Sequence, residues 1–465
     1  STQSMNVAIG RDAGGAVTTG VENTLIGSLA GDALTDADFN VAFGVAALGS
    51  DTKGSKSVAI GNSALLRQNF TTATDSFNVA VGHDSGSHIT TGIYNVLIGG
   101  LAGDAITDAD FNVAVGTNAL STNILGSQNV AIGNAALNAM NPATAADMYN
   151  TAVGASAGLS VTTGISNTLI GGLAGDALTT GQENTVVGRS ALTAEIAGRY
   201  NVAIGNAALA AQSNSSVTDV YNTAVGYTAG LSVTTGVNNT LLGALAGDAL
   251  TAGANNTAVG RGSLGADTLG SRAVAVGFGA LSSQNFTTAT DNYNVAVGFN
   301  AGVSVSTGIY NILIGGLAGD ALTTGNNNVA IGLNALTSDT KGDQSVAIGN
   351  DALNAQNFTT NTDAFNVAVG KSAGGAVTTG IQNTIIGALA GDALTDADYN
   401  VAVGLGALSA DTLGSKSTAI GTNTLQNQNF TTATDSFNTA LGFHAGYAVT
   451  TGVQNTLIGS LAGDA

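Results

Sequence analysis

The hydrophobic and polar positions of this chain follow a short motif that recurs at a fixed interval. In residues 23–44, NTLIGSLAGDALTDADFNVAFG, an Asn followed by a β-branched residue, two apolar residues and a Gly occurs twice, seventeen residues apart. From Asn6 onward the motif begins 26 times. Its first starts are at positions 6, 23, 40, 57 and 78, which are three intervals of seventeen and one of twenty-one before the cycle restarts. A unit this short cannot bury a core alone and must stack on its neighbours.

Three intervals of seventeen residues and one of twenty-one together form a super-repeat. The super-repeats follow one another without any insertion or deletion. This regularity predicts a single continuous solenoid over residues 1–465. The super-repeats are 6–77, 78–149, 150–221, 222–293, 294–365 and 366–437, followed by a partial copy at 438–465.

Each motif predicts a strand that ends at a glycine corner. Gly is the fifth residue in all 26 copies, and Asn is the first in 22. A second extended piece, such as GAVTTG at 15–20 or GDALTTG at 175–181, predicts a second strand in each coil. Helices are disfavoured, because each interior Gly costs a helix roughly 1 kcal/mol. We therefore predict an all-β fold, a parallel β-solenoid (β-roll) of about 26 turns.

Strand alternation divides the motif into two faces. Val7 and Ile9 share one face, which we expect to line the coil interior. The opposite face is small and flat, so we expect it to pack against another chain. Side-chain amides that repeat at one place in successive coils form hydrogen-bonded ladders. The predicted structural ladder consists of Asn6, Asn23 and Asn40, with Gly10, Gly27 and Gly44 at the corners.

Composition and charge narrow the choice of partners. The chain has 66 Gly, one Pro, no Cys and a formal net charge of −19. Nucleic acid is excluded as a partner, because its phosphates would be repelled. No apolar run is long enough for a membrane span, and residues 1–20 do not have the pattern of a signal peptide. The expected partners are other copies of the chain, and cell-surface glycans or a receptor.

Several coils are close to a generic unit: NTAVGYTAGLSVTTGVN at 222–238, NTAVGRGSLGADTLGSR at 256–272 and SVAIGNSALLRQNF at 57–70. This unit resembles the N-T-A-x-G-x-x-A-L-x-x-x-T-T-G repeat of bacterial and phage fibre proteins. It is also similar to the head repeats of YadA-like trimeric autotransporter adhesins. The resemblance covers essentially the whole chain, and it implies a homotrimer of β-solenoids that projects from a cell or virion surface and binds a target there.

Enzymatic chemistry is not indicated. The segment 260–265, GRGSLG, matches the G-x-G-x-x-G of dinucleotide sites, but no helix follows it to complete the βαβ unit that such a site needs. A uniform solenoid offers repeated shallow faces rather than the unique pocket that catalysis requires. We predict no catalytic residues and no cofactor.

Calcium is considered because GGLAGDALT at 171–179 and 315–323 resembles a calcium-binding nonapeptide. Calcium in such rolls lies between successive coils, whereas these aspartates recur only every fourth coil. An isolated ion at the DADF and DADY corners is the alternative, and a solvated acidic corner is the favoured interpretation. The corner aspartates are Asp36, Asp38, Asp108, Asp110, Asp396 and Asp398.

Two further features are candidates for binding. The four-residue insertion of the long coil carries QNFT loops with N-x-T glycosylation sequons at Asn69, Asn285, Asn357 and Asn429. A bulge that sets the solenoid twist is an equally good explanation of the insertion. In addition, twelve of the 22 Phe and Tyr stand immediately before the motif. They suit either sugar stacking or a packing seam, and the seam is favoured.

The sequence therefore predicts a non-enzymatic subunit of an extracellular fibre or filament, used for surface display, adhesion or matrix and able to associate head to tail. The first alternative is the shaft of a phage tail fibre or trimeric adhesin whose receptor tip lies elsewhere. An ice-binding solenoid is a weaker alternative, because the column of Thr18, Thr35 and Thr52 is interrupted by Ile124 and Ile196.

Overall fold

The structure, a computed structural model, describes residues 4–464. These residues form strands, turns and bends, and no helix is present among them. Parallel coils stack in register, so the predicted all-β fold and the predicted β-solenoid are confirmed. Contacts divide the chain into two compact units, Ser1–Thr235 and Gly236–Ala465, each of which is described by itself.

The strands of the first unit comprise one three-residue strand in each coil and a two-residue strand on either side of each long insertion. They are β1 Val7–Ile9, β2 Thr24–Ile26, β3 Val41–Phe43, β4 Gly54–Ser55, β5 Val58–Ile60, β6 Thr74–Asp75, β7 Val79–Val81, β8 Val96–Ile98, β9 Val113–Val115, β10 Gly126–Ser127, β11 Val130–Ile132, β12 Ala146–Asp147, β13 Thr151–Val153, β14 Thr168–Ile170, β15 Thr185–Val187, β16 Gly198–Arg199, β17 Val202–Ile204, β18 Thr218–Asp219 and β19 Thr223–Val225.

The second unit has the same composition of strands. They are β20 Thr240–Leu242, β21 Thr257–Val259, β22 Gly270–Ser271, β23 Val274–Val276, β24 Thr290–Asp291, β25 Val295–Val297, β26 Ile312–Ile314, β27 Val329–Ile331, β28 Gly342–Asp343, β29 Val346–Ile348, β30 Thr362–Asp363, β31 Val367–Val369, β32 Thr384–Ile386, β33 Val401–Val403, β34 Gly414–Ser415, β35 Thr418–Ile420, β36 Thr434–Asp435, β37 Thr439–Leu441 and β38 Thr456–Ile458.

Within each unit the three-residue strands form one parallel sheet in strict repeat register. Val7 pairs with Thr24, and in the second unit Thr240 pairs with Thr257. The two-residue strands pair separately, as β4 with β6 and β28 with β30. Equivalent motif positions therefore form straight columns within a unit.

The second strand that we expected in each coil is wrong for most coils. Residues 15–20 and 175–181 form turns and bends, and among the described residues a second parallel pairing exists only beside the long insertions. The reason is visible at Thr35, whose single carbonyl oxygen accepts the backbone N–H groups of Thr18, Thr19 and Gly20 at 3.0–3.2 Å. A regular ladder needs one carbonyl for each N–H, so this convergence keeps the segment curved.

The faces of the strands are also opposite to expectation. In β8, Leu97 is fully buried while Val96 is half-buried and Ile98 is 39% exposed. The same alternation occurs in all the three-residue strands except β1 and β38, and Val7 and Ile9 themselves are 47% and 60% exposed, so the interior placement expected for them is wrong. The middle residue, which is Ala or Leu in most strands, Val in β15 and Ile in β32, points into the coil instead.

The coil interior is filled tightly by side chains that fit against one another. A Cβ added at Gly103 would lie 2.8 Å from a methyl carbon of Leu97 and 2.9 Å from one of Ile106, so these two side chains leave no room for a third. In the next coil Ala114 replaces the Leu, and Leu120 replaces the Gly. Large and small residues are thus exchanged between two columns to keep the interior filled.

The Asn column is buried and links each coil to the next. The Asn6 Oδ1 accepts the backbone N–H of Asn23 at 2.8 Å, and the Asn23 Oδ1 accepts that of Asn40 at 2.9 Å. The Asn23 Nδ2 donates across its own coil to the carbonyl oxygen of Ala37 at 2.7 Å. Each amide therefore satisfies buried backbone groups that strand pairing leaves free.

The corner glycines are required by close approach between coils. Gly27 has a φ of 138°, and a Cβ there would lie 2.3 Å from the carbonyl oxygen of Gly44. Gly10 has a φ of 133°, and its Cβ would lie 2.4 Å from the oxygen of Gly27. No side chain fits at such distances.

Candidate functional site

The surface with the greatest capacity for contact is the outer face of the strand sheet in each unit. We call it the outward strip and define it as the first and third side chains of the three-residue strands. These positions hold only Val, Thr, Ile, Leu and Phe, so the strip carries no charge in a chain whose net charge is −19. Away from the first and last coils, the exposed fractions at its third positions include 52% at Phe43, 38% at Ile132 and 36% at Ile314.

The outward strip is larger than an ordinary surface patch. At roughly 50 Å² for each side chain, the strip of one unit exposes on the order of 1,000 Å², against about 300–600 Å² for the largest patch of a typical monomer. The third positions are all apolar, whereas 11 of the 26 first positions are Thr, so the strip is uncharged and largely apolar. Largely apolar surface of this extent is typical of an interaction site.

Stacked aromatic rings flank the outward strip. Phe77, Tyr94 and Phe111 form a continuous stack with ring centroids 5.3 and 5.0 Å apart and interplanar angles of 12° and 4°. Both faces of Tyr94 are therefore covered, and the ammonium group of Lys56 lies 5.1 Å from the centroid of Phe77 on the other side of that ring. The rings present mainly their edges, which suits a packing seam better than sugar stacking.

Sequence reasoning missed a second site, a buried carboxylate next to each long insertion. The Asp339 side chain is fully buried. Its Oδ1 accepts the backbone N–H groups of Gly342 and Phe358 at 2.9 and 3.2 Å. Its Oδ2 accepts a hydrogen bond from the Gln356 Nε2 at 2.6 Å, and the Gln356 Oε1 accepts one from the Asn366 Nδ2 at 2.9 Å. The carboxylate thus ties the start of the insertion to the preceding coil.

The network recurs once in each complete super-repeat, with one exception. Asp51, Asp267 and Asp411 accept hydrogen bonds from Gln68, Gln284 and Gln428, each at 2.6 Å, and Glu195 accepts one from Gln212 at 2.8 Å. In the remaining copy the equivalent pair is Asn123 and Met140. An acidic residue at one fixed place in the super-repeat is the signal that could have revealed this site from the sequence.

Burial raises the pKa of the Asp339 carboxyl group, and the hydrogen bonds from Gln356, Phe358 and Gly342 oppose that rise. Burial raises the pKa of Asp267 in the same way, against the hydrogen bonds from Gln284 and Phe286. Among the residues that the structure describes, no cation pairs with either carboxylate, so these groups are held by N–H donors alone. They anchor loops.

The sequon asparagines of the long coils are exposed, and their side-chain carbonyl oxygens accept hydrogen bonds from threonine hydroxyl groups of the preceding coil. The Asn69 Oδ1 accepts the hydroxyl proton of Thr52 at 3.0 Å, while the adjacent Phe70 is buried and fixes the loop. The same contact occurs at the other three sequons, Asn285, Asn357 and Asn429, with Thr268, Thr340 and Thr412. Glycosylation at these four positions stays a prediction.

The acidic corners cap the preceding coil. The Oδ1 atoms of Asp38, Asp110 and Asp398 accept backbone N–H groups at 2.7–2.8 Å, and those of Asp36, Asp108 and Asp396 accept threonine hydroxyls. Burial raises the pKa of Asp110, and the nearby Asp108 adds to the rise. Within residues 4–464, no three His, Cys, Asp or Glu side chains lie close enough to share a metal ion.

The Thr column considered for ice binding is engaged within the protein. The hydroxyl groups of Thr18 and Thr35 donate to the carbonyl oxygens of Thr35 and Thr52, each at 3.0 Å. Only their oxygen lone pairs remain for water. An ordered water layer would therefore have to form without hydroxyl donors from this column.

No protein-family model and no curated protein matches the sequence. The part of the chain that the structure describes contains no helix of the length and apolarity needed to cross a membrane.

Proposed function

We propose that this chain is a non-enzymatic structural subunit of an extracellular fibre or filament, and that copies of it associate through the outward strip. The observation that carries the proposal is an uncharged, largely apolar and uncovered sheet face that repeats on every coil within each unit. Display, adhesion or matrix formation at a cell or virion surface is the role that such a subunit serves.

A second copy of the chain is the partner that fits the strip best. Two molecules that each carry a charge of −19 repel one another over most of their surfaces, and they can approach closely only where no charge is present. The column spacing of one strip matches that of another, so side chains from two copies can interdigitate over the whole length of a unit. The area estimated for one strip reaches the roughly 800 Å² per partner of a stable interface.

The experiment compares the assembly state of three proteins by sedimentation velocity. Ile98→Glu combined with Ile132→Glu places two carboxylates in the strip at side chains that are 39% and 38% exposed. Val217→Glu is the matched control, because Val217 is 53% exposed on a long insertion outside the strip.

We expect the unmodified chain and the control to sediment as trimers or larger species, and the double variant as a 45.2 kDa monomer. Circular dichroism that is unchanged in the double variant would show that the coils remain folded. A monomeric unmodified chain, or a double variant that assembles normally, would contradict the proposal.

A further inference from the structure

The second unit contains an open cavity that interrupts the regular surface. Its volume is about 300 Å³, at the lower end of the range for small-molecule sites. Leu245, Phe278 and Val303 form apolar walls, and Arg261 and Asn300 supply polar groups. The cavity includes part of the GRGSLG segment at 260–265. No helix follows this segment, so the cavity is not a dinucleotide site of the βαβ type.

Two successive glycines create the cavity. Gly262 and Gly279 occupy the seventh position of the repeat in two successive coils. In all the remaining coils except that of Gly406, this position carries a side chain. Where a single glycine occurs in this column, the next coil covers it, as Asn423 does at Gly406, where an added Cβ would lie 2.6 Å from the Asn423 Oδ1. At Gly262 the next coil offers only Gly279, and a Cβ added at Gly262 would meet nothing within 4 Å.

Arg261 gives the cavity a charge preference. None of the ion pairs among residues 4–464 involves Arg261, although acidic residues far outnumber basic ones. Its guanidinium lies over the ring of Phe278, with the carbon atom 5.7 Å from the centroid. Phe278 stacks in turn on Phe299, with centroids 5.5 Å apart, so the ring and the cation above it are held in place.

We propose that this cavity binds a small organic carboxylate with an aromatic or aliphatic body. The body fills the space above Gly262 against Leu245 and Phe278, and the carboxylate pairs with Arg261 at the rim. A guanidinium binds a carboxylate in a planar, two-pronged geometry, which orients the ligand. This site is independent of self-association through the outward strip.

The chain contains its own control at the equivalent place one super-repeat earlier. Arg189 and Ser190 are the equivalents there of Arg261 and Gly262, and Asn206 and Ala207 replace Phe278 and Gly279. An arginine is thus present without the aromatic wall and without the paired glycines. Leu is accepted in this column at a positive φ of 60° at Leu245, so Gly262→Leu is compatible with the fold.

The probe is 3-phenylpropanoate, titrated into the full chain and observed by ligand NMR line broadening and calorimetry, with 3-phenyl-1-propanol as the uncharged comparison. We expect saturable binding to the unmodified chain, a loss of roughly tenfold or more in affinity for Arg261→Ser and for the alcohol, and no binding to Gly262→Leu. Arg189→Ser and Ser190→Leu should bind like the unmodified chain.

Absence of saturable binding to the unmodified chain would overturn the proposal. Equal binding of acid and alcohol, or undiminished binding to Gly262→Leu, would also overturn it. If Gly262→Leu changes the sedimentation of the chain while the unmodified chain binds no probe, the cavity is a contact between copies. Should Gly262→Leu fail to fold, Arg261→Ser alone still decides whether the guanidinium binds the ligand.

Discussion

The long insertions near Asp339 and near Asn123 solve the same problem with different chemistry. Asp339 accepts hydrogen bonds from the Gly342 and Phe358 backbones and from the Gln356 amide. Asn123 forms two hydrogen bonds with a single residue: its Oδ1 accepts the N–H of Gly126 at 2.8 Å, and its Nδ2 donates to the Gly126 carbonyl at 2.7 Å.

Comparison of the two sites shows that the hydrogen-bond acceptor, Asp or Asn, changes together with the residues that donate to it. Where Asn replaces Asp, Met140 replaces the Gln, and Pro142, the only proline of the chain, replaces the Phe. Met has no amide to donate and Pro has no N–H, so two of the donors that require a carboxylate are gone. At these two sites the buried donors match the buried acceptors, and an incomplete set would be costly.

Removal of the buried carboxylate should have the largest effect on stability. Asp339→Ala leaves two backbone N–H groups and the Gln356 amide without an acceptor, and we expect a loss of about 3–5 kcal/mol in the free energy of unfolding. Asn123→Ala removes one donor and one acceptor and should cost about 1–2 kcal/mol. Urea denaturation followed by circular dichroism measures both. Equal losses for the two variants would contradict the comparison.

Transfer of the Asn–Met pair into the Asp339 site should show the coupling directly. Gln356→Met alone leaves one carboxylate oxygen of Asp339 without its 2.6 Å donor, and we expect it to cost about 2 kcal/mol. With Asp339→Asn added, the charge that lacked a donor is removed, so the double variant should be more stable than the sum of the single losses by about 1–3 kcal/mol. A double-mutant cycle in urea gives this value. Additive losses would show that the two residues do not act as a unit.

A smaller effect is expected from pH. Burial raises the pKa of Asp339, so the folded state binds a proton more tightly than the unfolded state does. The resulting stability is fully present below the unfolded pKa of about 3.9 and is lost as the pH rises through the folded pKa.

This effect is isolated by subtracting the unfolding free energy of Asp339→Asn from that of the unmodified chain, because the contributions of the other carboxylates cancel in the difference. The difference in unfolding free energy should decrease as the pH rises from 4, by at most about 1.4 kcal/mol per pH unit, and then level off. The Asn123 copy provides the matched control, since it has no carboxylate, and Asn123→Ser should give a pH-independent difference. If the difference in unfolding free energy for Asp339→Asn instead increased with rising pH, burial would not raise the pKa of Asp339, and the prediction would be wrong.

The repeat made the fold predictable, because the seventeen-residue interval and the invariant glycines such as Gly27 allow only stacked coils. The direction of the strand faces was not predictable from hydrophobicity alone. Val96 and Ile98 are more apolar than the Ala that usually fills the buried column, yet the interior accepts Leu97 only where Gly86 and Gly103 make room. Which face points inward depends on how side chains of neighbouring coils fit together, and a pattern of apolar positions does not record that fit.

The buried carboxylates and the cavity were missed for related reasons. Asp51 and Asp339 stand in the polar-looking segments SDTKGS and SDTKGD, and their burial depends on a Gln in the following coil. The cavity depends on what two neighbouring coils lack at Gly262 and Gly279. Both features are relations between residues one coil apart, and they become visible only when the coils are aligned in their register.

The most direct test of the proposed function is a cryo-electron microscopy map of the native chain at side-chain resolution. The account predicts density from another copy within contact distance of Val79, Val81, Val96 and Ile98 and of their equivalents along the outward strip. Well-ordered particles in which this strip faces bulk solvent on every coil would contradict it.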